Sequence, residues 1–545
     1  MSQYRTWYHP YKTDNKYAKK VAYFSMEFAI DQALKIYSGG LGFLAGSHMR
    51  SAYDLKQNMI GIGILWKYGY YDQNRNTDQT LLPHFTEKNY NFLEDTGIEI
   101  EMTIFDNPHV KVKAWVLKPE IFGSIPIYLL STDVDGNDHL SRTITDRLYD
   151  ANDLTRISQS MVLGIGGAKV VEALGGADIY HLNEGHGLPA FYYLRDKGLK
   201  KENFAFTTHT PEKAGNEERD GRFLNRMGFF GRPLSPEELE KQLLPSGMLS
   251  YTVAALRIAN KSNAVSRLHA TVSREMWKEH EGAGEIIPIT NAQHQGYWQD
   301  KKILQAWQKR NATSYTNRKR ERKAKLFNVV ADQTGKLFSP DTLTIVWARR
   351  FAAYKRADLL LHDMERLEKL LSDSTYPIQI LWAGKPYPKD EEALAIFNHL
   401  IRFTHDRPNC AVLTGYELSL SRLLKTGSDI WLNTPRITRE ASGTSGMTAA
   451  MNGSINLTTF DGWIPEFAKN RENCFVIPPI DHTLALSEQD RLDAASLYQI
   501  LEQDVLPTYY NQQDKWIEMV FAAIDGVIPA YTSNRMAHQY FQLLY

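Results

Sequence analysis

Two cysteines, Cys410 and Cys474, are all that 545 residues contain. No disulfide framework can be built from them, which points to a reducing compartment. The chain also lacks an excess of charge of either sign, with 63 Lys and Arg against 63 Asp and Glu. Nothing therefore steers it toward nucleic acid or an anionic membrane, and neither is expected as a partner. Long apolar runs are missing as well; IGIGILW from Ile60 is far too short to span a bilayer. The stretch MSQYRTWYHPYK has no apolar segment of the secretory kind, so the expected location is cytoplasmic. There is no internal repeat and no low-complexity tract.

What is present describes a folded protein. Hydrophobic residues make up 43% and charged residues 23%, the balance of a globular chain. The length exceeds one ordinary core, so two domains are expected. In the first half, VAYFSME, IGIGILWKYGYY, VKVKAWVL and IPIYLL read as strands. TRISQSMVLGIGGAKVVEAL reads as a long helix, because Ile157, Met161, Ile165, Ala168, Val171 and Leu174 recur at three and four residues. ADIYHLNEGH and FAFTTHT then look like buried strands ending in polar residues. In the second half LTIVWARR, IQILWAGK, AVLTGY and DIWLNTP alternate with helical or polar stretches. Such alternation predicts a parallel doubly wound sheet with ligands at the carboxyl ends of its strands. The expected fold is α/β, with two Rossmann-like domains facing a cleft: residues 1–290, residues 291–515, and a helix over 516–545 that crosses back to the first. The charged stretch Gln308–Lys325 is expected to be a solvated helix.

Several short motifs have ligand chemistry to weigh against a plain structural role. IYSGGLGFLAG brings Gly39, Gly40, Gly42 and Gly46 together, and closely spaced glycines let backbone N–H groups approach a phosphate or a sugar. A simple turn explains them equally well, and the spacing is not the dinucleotide fingerprint. HLNEGHG clusters His181, Glu184 and His186, but at no zinc-protease spacing, so no metal is expected. WARRFAAYKRAD places Arg349, Arg350, Lys355 and Arg356 just after a strand, where a fork-shaped donor and a point charge can neutralise phosphate oxygens. EASGTSGMTAAMNG, from Glu440, puts small and hydroxyl residues at the start of a helix, a ready anion site.

Taken in order, VAYFSMEF, IYSGGLGFLAG, GIGILWKYGYY, MVLGIGGAKVVEALG, YHLNEGH, FTTHTP, SNAVSRLH, ITNAQHQGYW, ARRFAAYKR, WAGKPYPKD and EASGTSGM resemble the α-glucan phosphorylases, the glycogen and maltodextrin phosphorylase family, in its shorter form. The resemblance implies a glycosyltransferase fold of the GT-B type and retaining transfer of an α-glucosyl unit. It implies that Gly40, Leu41 and Gly42 line the phosphate and glucosyl pocket. His209 and Asn291 would hold the transferred glucose, and Glu440, Ser442 and Gly443 its 3- and 4-hydroxyls. Arg350 and Lys355 would bind the substrate phosphate, with His209, Arg350, Lys355 and Glu440 forming the catalytic set. Arg349, Trp298, Tyr416 and Thr444 would surround the cofactor's phosphate. A homodimer is a further implication.

One departure bears on chemistry. Where the resemblance implies the lysine that binds pyridoxal phosphate as a Schiff base, this chain has Thr448, and no other lysine occupies that register. No covalent pyridoxal phosphate is therefore expected; the cofactor is either absent or held without a tether. Smaller departures are AQHQGYW after Asn291 and Ser47 in AGSH. Three functions follow. The first is glucosyl transfer from a sugar nucleotide to an α-glucan or other acceptor, since a nucleoside diphosphate leaves readily once its charge is offset. The second is phosphorolysis of an α-glucan with untethered cofactor or an altered lysine. The third is glucan binding without catalysis.

Overall fold

The computed structural model describes residues 6–212 and 215–545. The fold is α/β, and the described residues divide into two compact units. The first takes in the chain up to Tyr71, then Phe85–Thr290 and Ser533–Tyr545; the second takes in Asp72–His84 and Asn291–Thr532.

The first unit is built on β1 (Val21–Phe24) and β2 (Met59–Ile64). After the excursion that forms the hairpin β3 (Asp72–Arg75) and β4 (Leu81–His84), it continues with β5 (Glu94–Ile104), β6 (Asn107–Leu117), β7 (Ile127–Ser131), β8 (Ile179–Asn183) and β9 (Phe204–Thr207). A short ribbon, β10 (Glu218–Asp220) with β11 (Met248–Ser250), precedes β12 (Lys261–Ala264) and β13 (Ile286–Pro288). Among the described residues these give a nine-stranded sheet in the order β13-β12-β9-β8-β1-β2-β7-β6-β5. It is parallel except at β5, β6 and β7, which pair antiparallel. β1 and β2 are buried along their whole length, the mark of strands covered on both faces.

The long helix expected over Thr155–Leu174 forms as Asp153–Met161, one π turn at Val162–Gly166, and Gly167–Ala173. Its glycines have a packing reason. A Cβ on Gly164 would lie 2.7 Å from the Ala190 nitrogen, and one on Gly167 would lie 2.7 Å from Phe24 and Ile62. The helix therefore lies directly against the sheet and the Pro189–Asp196 helix.

The second unit holds β14 (Leu343–Ala348), β15 (Ile378–Ala383), β16 (Cys410–Leu413), β17 (Ile430–Asn433), β18 (Ile455–Thr459) and β19 (Cys474–Ile477). All pair in parallel, in the order β16-β15-β14-β17-β18-β19. Trp347 of β14 and Trp382 of β15 are fully buried and share one register position.

The charged stretch spans the end of the Lys301–Gln308 helix, a turn and, from Ala312, the Ala312–Thr334 helix, and it is not simply solvated. Lys319 is buried and donates to the Ser428 and Asn452 carbonyls and to Ser454 Oγ. Lys323 is buried against Asp429 at 2.5 Å. Both side chains reach inward and satisfy carbonyls and a carboxylate inside the unit.

Candidate functional site

In the second unit the candidate residues follow the carboxyl ends of parallel strands. Arg349 comes directly after β14, Tyr416 after β16, and Glu440, Ser442 and Gly443 after β17. The expected helix over the opening of EASGTSGM runs from Thr444 to Met451, with Gly443 at its N-cap in the left-handed region at φ 86°. A side chain there would be strained, and its Cβ would lie 3.5 Å from Glu440 Cγ and 3.8 Å from Arg349 Nη2.

Glu440 gathers the charges. Arg349 Nη2 donates to its Oε2 at 2.6 Å, and Lys355 Nζ approaches the same oxygen at 3.0 Å. Arg349 and Lys355 are buried, and Glu440 is partly buried. Burial alone would raise the Glu440 carboxyl, but Arg349, Lys355 and Arg350 outweigh it and hold it below its ordinary value. Lys355 is lowered to about 7, first by burial and then by the Arg349 guanidinium, against the pull of Glu440. Arg350 is exposed and acts on this cluster through its charge. Arg356, next to Lys355, is structural. It is buried, bonded to Asp490 and Asp493, and donates to the Thr434 carbonyl.

Buried polar atoms of several candidate residues in this unit have unmade bonds. Among the described residues Arg349 Nε and Nη1, Ser442 Oγ and Asn291 Oδ1 have no hydrogen-bond partner. Each such group costs about 1–3 kcal/mol unless a ligand satisfies it. The Tyr416 hydroxyl donates to the Ala348 carbonyl at 3.2 Å, next to Arg349. Trp298 ends the Gln295–Trp298 helix, and Asn452 Nδ2 donates both to the Trp298 carbonyl at 2.9 Å and to the Thr448 carbonyl at 2.8 Å. Thr448 itself is fully buried, and its hydroxyl turns back onto the Ser445 carbonyl at 3.0 Å.

Two side chains that sequence reasoning passed over hold this cluster. Asp461 accepts from the Glu440 N–H at 2.9 Å and the Gly462 N–H at 2.8 Å, and burial lifts its carboxyl to about 7. Gln73, from the β3–β4 hairpin, donates to the Gly384 carbonyl and accepts from the Gly415 and Tyr416 N–H groups. A hairpin glutamine so far away in sequence carried no signal.

In the first unit, Gly40, Leu41 and Gly42 open the Gly40–Asp54 helix. The Glu27 carboxylate accepts from the Ser38 and Gly39 N–H groups and from the Tyr149 hydroxyl. A Cβ on Gly42 would strike Glu27 Oε2 at 2.7 Å. Glu27 lies in VAYFSMEF, a motif in which sequence reasoning found it no role. His209 Nε2 is 2.7 Å from Asn183 Oδ1, and its backbone N–H donates to Glu184. Burial, then His269 and His186, lowers its imidazole to about 3, so it is neutral and donates through Nε2. Glu184 has φ 69° and ψ 170°, a backbone conformation rare outside glycine, and is held there by bonds to His209 and Thr210. Burial raises its carboxyl to about 7. Among the described residues no group of His, Cys, Asp and Glu is placed to hold a metal ion. None of the helices there is long and apolar enough to cross a membrane.

Pyridoxal phosphate is the group the sequence resemblance implies. The phosphate end finds a suitable setting in the unmade Arg349 bonds and the helix that starts at Thr444. The tether does not fit at position 448, where a threonine hydroxyl closes on its own helix.

The family model described as carbohydrate phosphorylase matches residues 289–499. An uncharacterized protein of Methanocaldococcus jannaschii is 46% identical over 97% of this chain and all of its own length. The maltodextrin phosphorylase of Thermococcus litoralis is 33% identical over 97% of this chain and 71% of its own. The glycogen phosphorylase of Aquifex aeolicus is 31% identical over 100% of this chain and 89% of its own.

Proposed function

We propose that this chain, which belongs to the carbohydrate phosphorylase family, moves an α-glucosyl unit between a glucan and inorganic phosphate. The observation that carries the reading is the Arg349, Lys355 and Glu440 cluster, in which two buried guanidinium nitrogens of Arg349 are still unbonded, as is the Ser442 hydroxyl. Relatives whose names are glycogen and maltodextrin phosphorylase support the same direction.

In this reaction a phosphate oxygen bonds the anomeric carbon while the glycosidic carbon–oxygen bond breaks. The departing sugar oxygen takes a proton, which hydrogen phosphate can release as it forms the new bond. Arg349 and Lys355 hold the anion and offset its charge, and Lys355 is close enough to neutral pH to change its protonation as the anion arrives. Ser442 and Glu440 offer hydroxyl and carboxylate partners to a sugar. Asn291 supplies a further acceptor through Oδ1.

Thr448 favours a second reading, transfer from a sugar nucleotide. A nucleoside diphosphate leaves without needing a proton from a tethered cofactor, and the same positive groups would receive it. A donor screen separates the two. Maltodextrin with inorganic phosphate should yield glucose 1-phosphate, detected by mass spectrometry with and without added pyridoxal phosphate. Glucosyl transfer from a nucleoside diphosphate glucose, with no phosphorolysis, would overturn the first reading and establish the second. Saccharide binding with neither activity would overturn both.

A further inference from the structure

Two arginines of the second unit, seven positions apart, are satisfied to different degrees. Arg356 has bonds on Nε, Nη1 and Nη2, shared between the Asp490 and Asp493 carboxylates and the Thr434 and Pro435 carbonyls. The Arg349 guanidinium bonds, among the described residues, only from Nη2 to Glu440 Oε2 at 2.6 Å, while its Nε and Nη1 are buried and unbonded. Lys355 Nζ turns to the same carboxylate, 3.0 Å from Oε2 and 3.4 Å from Oε1. One carboxylate therefore answers two cations. It meets the guanidinium through a single nitrogen, not the two-point contact that completes such a pair. Arg356 shows what a structural ion pair looks like here, and Arg349 with Glu440 falls short of it.

The Glu440 carboxylate is also placed so that it can leave. Its backbone N–H is fixed, donating to Asp461 at 2.9 Å. Its side chain is flanked by two glycines, Gly443 and Gly462, on which a Cβ would lie 3.5 and 3.3 Å from Glu440 Cγ. Both have positive φ, 86° and 61°, so neither position readily accepts the side chain that would crowd this arm. The carboxylate can turn about its own torsions while the loop stays where Asp461 holds it.

We propose that Glu440 is the resident anion of the Arg349 and Lys355 pair, that the substrate anion displaces it, and that saccharide hydroxyls then complete the displaced carboxylate. Two anions on one pair of cations repel each other, so the incoming oxygens take the bonds that Glu440 held and those that Arg349 Nε and Nη1 have not made. A partly buried carboxylate moved off its cations needs other donors, and sugar O–H groups supply them. Anion and saccharide thus each strengthen the binding of the other, by one and the same factor. The inference rests on the anion-binding reading of this site, but not on which glucosyl donor the site uses.

The test is calorimetric and uses the whole protein at pH 5, below the point at which Lys355 loses its charge. Sulfate is titrated alone and with saturating maltotriose, and maltotriose with and without sulfate. Maltotriose should tighten sulfate binding by about 5–150-fold, the usual span of such couplings, and sulfate should tighten maltotriose binding equally. Glu440→Gln, whose neutral amide does not compete for the cations, should bind sulfate more tightly than the unaltered protein and gain nothing further from maltotriose. A purely structural Glu440 would leave the two ligands independent and its loss would disorder Arg349. Equal or weaker sulfate binding by the variant, or no effect of maltotriose on sulfate binding to the unaltered protein, therefore overturns the proposal. If the variant does not fold, the coupling measured on the unaltered protein decides alone. Sulfate binding by neither protein, with or without maltotriose, sinks the site reading as well.

Discussion

At the scale of single residues, the second unit sets acid and base groups close to neutrality by burial. Lys355 is charged below about pH 7, and a bound anion favours that charged form. Affinity for an anion should therefore fall as pH rises above 7, approaching about tenfold per unit while only this group titrates. Sulfate is the suitable probe, because its own charge does not change in this range. Asp461 also ionises near 7 and acts in the same direction, so Lys355→Arg, permanently charged, isolates the lysine's share. Titration calorimetry from pH 6 to 9 should show a flatter profile for the arginine variant; equal slopes would remove Lys355 from the anion site. Asp461 gives a stability prediction of defined sign. Its folded-state value lies above the ordinary carboxyl value, so its stabilising contribution is full below about pH 4 and is lost as pH rises through about 7. Asn at this position keeps one acceptor for the two N–H groups of Glu440 and Gly462. Asp461→Asn should be less stable than the native protein at pH 5, and the gap should narrow at pH 8, read from urea midpoints.

The elements differ in how clearly they announced themselves. β14, β15, β16 and β17 were legible because a central parallel strand is buried on both faces and so reads as a continuous apolar run. β5 was not among the expected strands. Its alternation of Glu and Ile in IEIEM fits a sheet edge with one exposed face, which yields a weaker signal than a buried run. The helix over Asp153–Ala173 was visible from its periodicity, but the π turn inside it was not, since an inserted backbone residue leaves no mark in composition. Its packing makes a sharp prediction. Gly164→Ala would push a methyl against backbone atoms at 2.7 and 2.9 Å, and should cost about 1–3 kcal/mol as overpacking. Urea unfolding followed by circular dichroism measures it; a neutral effect would mean the neighbouring helix can give way. The candidate site was legible where charge follows a strand, as at Arg349 and Lys355.

At the scale of the molecule, chain order and spatial order part company. The residues between Tyr71 and Phe85 belong to the second unit, and Ser533–Tyr545 belong to the first. The latter segment packs deeply there: the Tyr545 hydroxyl is 2.6 Å from His181 Nδ1 on β8, Ser533 Oγ is 2.5 Å from Ser51 Oγ, and Gln57 donates to the Ala537 carbonyl. A chain truncated after Thr532 should lose amide-exchange protection across β8 and its neighbours β1 and β9. Undiminished protection there would show that the segment is dispensable to the sheet. Nothing in the apolar pattern of the sheet could have disclosed this dependence, because the residues that complete it lie more than half a chain away.

That threading has a consequence for biosynthesis. A ribosome releases the strands of the first sheet long before it adds the tyrosines that close over His181, and the whole of Asn291–Thr532 is made in between. At usual elongation speeds the interval is roughly 10–50 seconds. During it, the nascent protein must either keep that histidine-bearing surface wet or have it shielded by a chaperone.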